Sequence, residues 1–496
     1  MTFRRVLIAN RGEIAIRIAT ACREAGIESV AIYSDADRDA PHVRAADRAV
    51  RVGPAPSSQS YLSIANVVEA ARSTACNAVH PGYGFLSENA TFARACGDAG
   101  LVFIGPPASV ISRMGSKVAA RELMTAAGVA VVPGDTPADQ SDSGILRSAE
   151  RLGFPVLVKA SAGGGGKGMR AVRDSASALE AITAARREAL SAFGDGTLYV
   201  ERLIERPRHV EVQIFGDAHG NAIHLFEREC SIQRRHQKIV EESPSPALTA
   251  PVRSAITDAA VAAARAAGYI NAGTIEFLLE GEGDDARFYF LEMNTRLQVE
   301  HPVTEAVTGV DLVQAQFVVA AGGRLPWTQA AISHRGHAIE CRVYAEDPAA
   351  GFLPQAGTLL LYREPNGPGV RIDSGVVEGG TVSVHYDPLL AKLTASAESR
   401  DAAIARARAA LRAFPILGIR TNVPFLIRVL EHPDFRAGRL HTGFIDEHAD
   451  ALLASRSTPP EAVAAAAVAT TAPPAPSASA RPSTADPWEI IRGWGR

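Results

Sequence analysis

Lysine is nearly missing from this chain. Of its 51 basic side chains in 496 residues only five are lysines, at 117, 159, 167, 238 and 392, and the other 46 are arginines. A chain that takes Arg for general positive charge keeps Lys where a compact ammonium is needed, because the two cations are not interchangeable at a tight ligand site. Cysteine is scarce too. Cys22, Cys76, Cys96, Cys230 and Cys341 are odd in number, and none stands at metal-ligand or redox spacing from another. That pattern argues against a disulfide framework and a zinc site, and for reduced thiols in a cytoplasmic protein. No eighteen apolar residues run together, and MTFRRVLIANRGE lacks a stretch long enough for a secretion signal, so no membrane association is expected. A net charge of −3 without a basic block weighs against nucleic acid, which is held through clustered Lys and Arg.

Two nucleotide signatures are also missing. The turn NRGEIA after the first apolar run carries no G-x-G-x-x-G, which leaves a dinucleotide site unsupported. SAGGGGKGMR, residues 161–170, is not a Walker A loop, because Gly168 follows Lys167 where Ser or Thr is required, and strand-like patterns lie on both sides. What this segment does have is four consecutive glycines, whose peptide N–H groups are free to approach an anion. A glycine-rich hairpin closing over phosphates is one reading and a merely flexible turn is the other; Lys159 just upstream favours the first.

RVLIA, then a helix with Ile14, Ile18, Ala21 and Cys22 on one face, then SVAIYS, make a βαβ opening. Strands at ACNAVH and LVFIG and the helix YLSIANVVEAARS extend a Rossmann-like parallel α/β domain over residues 1–115. HPGYGFLSENA follows a strand directly and is a candidate ligand loop at its carboxyl end. From residue 116 to 333 the pattern turns mixed and mainly antiparallel, with HVEVQIFGD, NAIHLFERE, GTIEFLLE and RFYFLEMN as alternating strands. A third, mixed β/α unit over 334–447 has the strands HAIECRVYAE, GTLLLYRE and ASAES and the helix RDAAIARARAALRAF. Residues 448–496 are dominated by Ala, Pro, Ser and Thr and are expected to be a disordered linker and tail.

Three charged segments draw attention. Glu276 and Glu292 fall on strands joined by the turn EGEGDDA, so they can project side by side; with the Asn294 amide oxygen they would form a hard-oxygen site for Mg²⁺ or Mn²⁺. Two exposed glutamates are the plainer alternative. In LEMNTRLQVEHP, period-two alternation puts Glu292, Asn294, Arg296, Gln298 and Glu300 on one face if the strand runs that far. ERECSIQRRHQKIVEE packs Arg234, Arg235, His236 and Lys238 between four glutamates, Glu227, Glu229, Glu241 and Glu242. Such a run is either a solvated mixed-charge loop or an anion-handling one.

Together with IANRGEIAIRI, GSK, ERPRHVEVQ, ECRVYAED and HYDPLLAKL, these motifs resemble the biotin carboxylase family over residues 4 to about 444. Its members are ATP-grasp enzymes that carboxylate biotin in acetyl-CoA, propionyl-CoA, methylcrotonyl-CoA and pyruvate carboxylases. The resemblance implies a central ATP-grasp domain with a mobile lid over about 131–203. It assigns ATP to Lys117, Lys159, Glu201, Arg202, Leu203, Ile204, His209, Gln233 and His236, with Gly165 and Gly166 over the phosphates. Two Mg²⁺ or Mn²⁺ ions would sit on Glu276, Glu292 and Asn294. Bicarbonate would fall to Lys238, Arg296 and Val299, proton removal to Glu300, and contact with bicarbonate and biotin to Arg342, and Tyr83 is assigned to cofactor binding. Ala162 stands where the family often has another glycine.

A homodimer working with a biotin carboxyl carrier and a carboxyltransferase is also implied, in an acyl-CoA carboxylase of acetyl- or propionyl-CoA type serving fatty acid metabolism. No lysine here has the Met-Lys-Met context of a biotinylated residue, so the carrier should be separate. DPWEIIRGWGR resembles the segment that leads to further domains in fused family members. The competing readings are another ATP-grasp ligase, or a silent nucleotide-binding protein; the second is opposed by the presence of Lys238, Glu300 and both metal carboxylates.

Overall fold

The apolar run RVLI becomes Arg5–Ile8, the central strand of a five-stranded parallel sheet. Its order is Arg48–Gly53, Glu28–Ser34, Arg5–Ile8, Ala78–His80 and Val102–Phe103. Helix Gly12–Glu24 lays Ile14, Ile18, Ala21 and Cys22 on this sheet, the face expected from their spacing. Strand order reverses between Arg5–Ile8 and Ala78–His80, and α/β sheets hold ligands in the crevice beyond such a point. Here Asn10 closes the crevice floor, its amide donating to the carbonyl oxygens of Pro81 (2.8 Å) and Tyr83 (2.7 Å). Gly82 has φ +63°, and a Cβ there would lie 2.8 Å from the Asn10 amide, so the HPGYG loop requires glycine at that position. The computed structural model describes residues 3–161 and 168–453; Ala162, the glycines at 163–166, Lys167 and the segment from 454 onward lie outside the described residues.

An eight-stranded antiparallel sheet forms the middle of the molecule. Its strands run in the order Arg287–Asn294, Asn271–Glu280, Arg208–Gly216, Ala222–Arg234, Gln237–Ser243, His337–Tyr344, Leu389–Ala397 and Val370–Ser374. The sheet crosses residue 334 without a break, since Val240 to Ser243 pair with Cys341 to Ala338. Helix Arg400–Arg412 covers the C-terminal part through Ala403, Ile404, Ala407 and Leu411, and Ala250–Ala267 covers the other part. Each fully buried Ile or Leu contributes about 1.5–3 kcal/mol.

The segment expected to form the lid has a sheet of its own. Gly134–Asp135, Leu198–Arg202, Val156–Ala160 and Met169–Val172 make a four-stranded antiparallel sheet, backed by helices Asp142–Leu152 and Ser175–Phe193. It has its own core of Ile145, Val156, Val158, Ile182, Leu198 and Val200. Val156–Ala160 pairs with Met169–Val172, so the glycine run connects two antiparallel strands, as the flanking apolar patterns required.

GTLLLYRE departs from expectation. It splits into Gly357–Thr358 and Leu361–Tyr362, which pair with Thr381–Val382 and Ile416–Leu417 respectively, and Leu360 between them faces solvent. The segment changes partner half-way, so no single strand can form. No helix among the described residues is long and apolar enough to cross a membrane.

Candidate active site

Glu276 and Glu292 are direct partners across their hairpin, and Glu211 on the next strand lies opposite Glu276. Directly opposed residues share a face, so three carboxylates stand in a row, a destabilising arrangement unless cations answer it. Lys238 is the main answer. Its ammonium donates to Glu211, to Glu276 (2.8 Å) and to Glu300 (2.7 Å). Arg228, fully buried, donates to Glu211 (2.6 Å), Gln213 (2.7 Å) and the hydroxyls of Thr304 and Thr274 (both 3.0 Å). His209 reaches Glu276 at 3.2 Å. Burial works to lower the His209 imidazolium, but Glu276 and Glu211 outweigh it and raise it to about 9, so it is charged at neutral pH. Glu211 was not among the residues expected from the sequence. Its signal was the alternation in HVEVQ, which puts His209, Glu211 and Gln213 on one face.

The alternation of LEMNTRLQVEHP stops at Asn294, where the strand ends. From Thr295 the chain is a loop, turns at Val299 and Glu300, and enters helix His301–Thr308. Arg296, Gln298 and Glu300 therefore converge through folding back, not through a shared strand face. Glu88, from HPGYGFLSENA, causes the departure: it accepts the Thr295 N–H and the Arg296 Nε–H, both at 2.9 Å, and draws the chain off the sheet. Arg296 then donates back to Asn294 (3.0 Å) and to Gln298 (2.8 Å), and Gln298 donates to Glu276 (3.3 Å).

ERECSIQRRHQKIVEE is a tight hairpin, not a solvated loop. Arg234 pairs with Gln237, and the two turn residues Arg235 and His236 have φ of +47° and +68°. Left-handed backbone at non-glycine residues costs about 1–2 kcal/mol each, and such strain gathers at functional sites. All four flanking glutamates are buried with a basic partner: Glu227 with Arg253 (2.9 Å), Glu229 with Arg208 (3.1 Å), Glu242 with Arg400 (2.6 Å) and His337 (2.7 Å), and Glu241 with Arg342 (2.5 Å). Arg342 also donates to the second Glu300 oxygen at 2.9 Å. Glu300 thus lies fully buried between two cations. Burial alone would raise its carboxyl, but Lys238 and Arg342 outweigh that and Glu211, and hold it below the ordinary value.

A cavity of about 800 Å³ joins these groups to the four-stranded sheet. Lys117, Lys159, Glu201, Arg202, Leu203, Ile204, His209, Gln233 and His236 line it, as do Lys238, Glu276, Glu292, Asn294, Arg296, Val299 and Arg342. Lys159 pairs with Glu201, which also takes Arg121 at 2.6 Å. Arg202 turns part of its length to Glu280, at 2.8 Å from both oxygens. Glu300 lies just beneath the wall, and Tyr83 sits at the N-terminal crevice, its hydroxyl donating to Glu13. Gly165 and Gly166 are outside the described residues.

The donor set suits a divalent cation. Burial, then the charge of Glu276, raise the Glu292 carboxyl, a shift that a bound cation would oppose, and Asn294 Oδ1, which accepts Arg296 at 3.0 Å, has a second lone pair. Two opposed carboxylates and an amide oxygen are hard ligands of the kind Mg²⁺ and Mn²⁺ take.

Residues 2–111 match the family described as biotin carboxylase, N-terminal domain, and residues 340–447 match the biotin carboxylase C-terminal domain. Between them, residues 116–328 match the ATP-binding domain of the carbamoyl-phosphate synthase L chain. This chain belongs to the biotin carboxylase family. Among its family relatives, the biotin carboxylase of Halalkalibacterium halodurans is 51% identical over 446 residues, covering 90% of this chain and 98% of that one. The alpha subunit of mitochondrial methylcrotonoyl-CoA carboxylase of Mus musculus is 51% identical over 455 residues, 92% of this chain and 63% of the relative, so the chain spans less than two thirds of that longer protein. The biotin carboxylase–β-γ-ATP complex from Campylobacter jejuni superposes with a TM-score of 0.87 at 43% identity, covering 90% of this chain and 99% of that one. The biotin carboxylase domain dimer of Hydrogenobacter thermophilus 2-oxoglutarate carboxylase, with MgADP, ADP and bicarbonate, gives 0.87 at 44% identity, covering 92% and 100%.

Proposed function

We propose that the chain is a biotin carboxylase, an ATP-dependent ligase that carboxylates carrier-bound biotin at the expense of ATP and bicarbonate. The observation that carries this reading is the clamp on Glu300, a buried carboxylate held at 2.7 Å by Lys238 and 2.9 Å by Arg342. Both cations line the cavity, so an entering bicarbonate meets two positive groups with a base between them. Glu300 takes the bicarbonate proton while Lys238, Arg296 and the Val299 backbone hold the anion in line with the γ-phosphate. The bicarbonate oxygen bonds to phosphorus as ADP leaves, giving carboxyphosphate, which splits to CO2 and phosphate. Phosphate accepts the N1′ proton of biotin, Arg342 steadies the ureido oxyanion, and N1′ attacks CO2. Divalent metal on Glu276, Glu292 and Asn294 would supply neutralisation of phosphate charge. Lys117, Lys159, Glu201 to Ile204, His209, Gln233 and His236 bind the nucleotide, and the lid with Gly165 and Gly166 excludes water.

In this reading residues 1–115, 116–333 with a lid at about 131–203, and 334–447 are the working parts, and 448–496 is an Ala/Pro-rich linker and tail. The enzyme works in the cytoplasm as a homodimer, with a biotin carrier and a carboxyltransferase that chooses the acceptor. The relatives named for methylcrotonoyl-CoA carboxylase and, in Methanothermobacter thermautotrophicus, for pyruvate carboxylase make those acceptors rivals to acetyl- or propionyl-CoA. The decisive assay is ADP release with bicarbonate and free biotin varied. Bicarbonate dependence with stimulation by biotin is expected; ADP release indifferent to both rejects the assignment.

A further inference from the structure

Four of the five lysines lie among the described residues; three of these line the cavity, and the fourth does not. Lys392 is completely buried in strand Leu389–Ala397. An enclosed ammonium is costly to keep unless it is paired and hydrogen-bonded. Its pairing is specific: Nζ donates to the Val299 carbonyl oxygen at 2.8 Å and lies 3.2 Å from Glu13 Oε1. Glu13 in turn accepts the Tyr83 hydroxyl. Burial would lower the Lys392 ammonium, but Glu13, Glu340 and Asp373 outweigh it and keep it charged.

The sheet register explains what this contact does. Lys392 is the direct partner of Arg342 on the neighbouring strand and of Asp373 on the other side, so all three side chains leave the same face. From that face Arg342 reaches the Glu300 carboxylate, and Lys392 reaches the carbonyl of the peptide that joins Val299 to Glu300. A peptide is planar, so fixing one carbonyl fixes the whole Val299–Glu300 unit and the point from which the Glu300 side chain starts. The same turn opens helix His301–Thr308, whose Glu305 is held by Arg17 (3.0 Å) and Arg371 (2.7 Å).

Resting on the biotin carboxylase reading, we propose that Lys392 is a positioning residue for Glu300, anchored to the N-terminal domain by Glu13 and Tyr83. It touches no substrate; it sets the angle at which the base meets bicarbonate. A displacement of about 1 Å at a reacting group can cost on the order of 100-fold in rate. Lys392→Met keeps the length and removes the donor. The expected result is a fall of on the order of 100-fold in kcat for bicarbonate-dependent ATP cleavage, with half-saturating bicarbonate raised and half-saturating ATP unchanged. Folded Lys392→Met with wild-type kcat and bicarbonate dependence would overturn the proposal, leaving Lys392 a purely structural charge. Should Lys392→Met not fold, Glu13→Gln carries the test, because it retains shape while removing the anchoring charge. It must raise half-saturating bicarbonate at unchanged half-saturating ATP, and wild-type values overturn the proposal. The wild-type control separates the two levels: ADP release independent of bicarbonate there sinks the biotin carboxylase reading itself.

Discussion

Replacing Glu300 by glutamine isolates proton removal from every other duty of the site. The carboxylate accepts from Lys238 at 2.7 Å and from Arg342 at 2.9 Å, one bond per oxygen. Glutamine offers one acceptor oxygen and an amine that only donates, and it would place that amine against a group that also only donates. One charge-assisted bond is therefore lost with nothing in exchange, which lowers stability by about 1–3 kcal/mol. Lys238 retains Glu211 and Glu276, and Arg342 retains Glu241, so the cluster stays paired and the fold should survive. Catalysis loses far more. A positioned base contributes roughly 10²–10⁴-fold, equivalent to about 3–5 kcal/mol of barrier. Nucleotide affinity should hardly change, because Glu300 lies beneath the cavity wall and away from Lys117, Lys159 and Glu201. Steady-state ADP release with and without bicarbonate, ATP titration by calorimetry and urea unfolding measure the three quantities. A loss of ATP affinity as large as the loss of turnover, or turnover near wild type, refutes this account of Glu300.

Arg228→Met leaves Glu211 with one cation fewer at the centre of the sheet, and breaking such a buried pair should cost about 3–5 kcal/mol in urea denaturation; a cost below about 1 kcal/mol would show that the four Arg228 bonds are not supporting the carboxylate row. Glu292→Gln replaces a charged carboxylate by a neutral amide with one oxygen fewer, so the Mg²⁺ concentration for half-maximal ATP cleavage should rise by about tenfold or more, and an unchanged Mg²⁺ requirement argues against a metal ligand. The third test is pH. Burial acts to raise Glu242, but His337 and Arg400 outweigh it and lower the carboxyl to about 2. A carboxyl lowered on folding stabilises above its ordinary value of 4.5, and that contribution disappears as pH falls from there toward 2. Over that window wild type should lose roughly 3 kcal/mol more than Glu242→Gln, as read by thermal unfolding of both at stepped pH, and equal losses would refute the assignment.

Much of this was legible in the sequence, for identifiable reasons. Short-range periodicity placed the βαβ opening, the helix face of Ile14 and Ile18, and the hairpin that makes Glu276 and Glu292 direct partners. Long-range pairing is where local reading stops. Alternation cannot tell a solvated glutamate from one buried against an arginine distant in sequence, so Glu241 and Glu242 looked like surface charges until Arg342 and Arg400 were seen beside them. Glu211 was overlooked because its neighbours Arg228 and Glu276 arrive from two other strands. Period two gave a shared face as far as Glu300 only if the chain stayed extended, and the actual break at Thr295 is held by Glu88, more than two hundred positions away. Arg235 and His236, with backbone that normally selects Asn and Gly, gave no turn signal.

The eight-stranded sheet has a further consequence for the way the site can open. Lys238 and Arg342 stand on hydrogen-bonded neighbouring strands of one continuous sheet, whereas Lys159 and Glu201 stand on the separately cored four-stranded sheet. A movement of the four-stranded sheet as a unit would change the distance from Lys159 to Glu276 and Glu292, whereas the spacing of Lys238 and Arg342 is set within the eight-stranded sheet alone. On the proposed reading, the anion pocket is therefore a fixed die cut from one sheet, and the nucleotide pocket is shared between two separately cored ones.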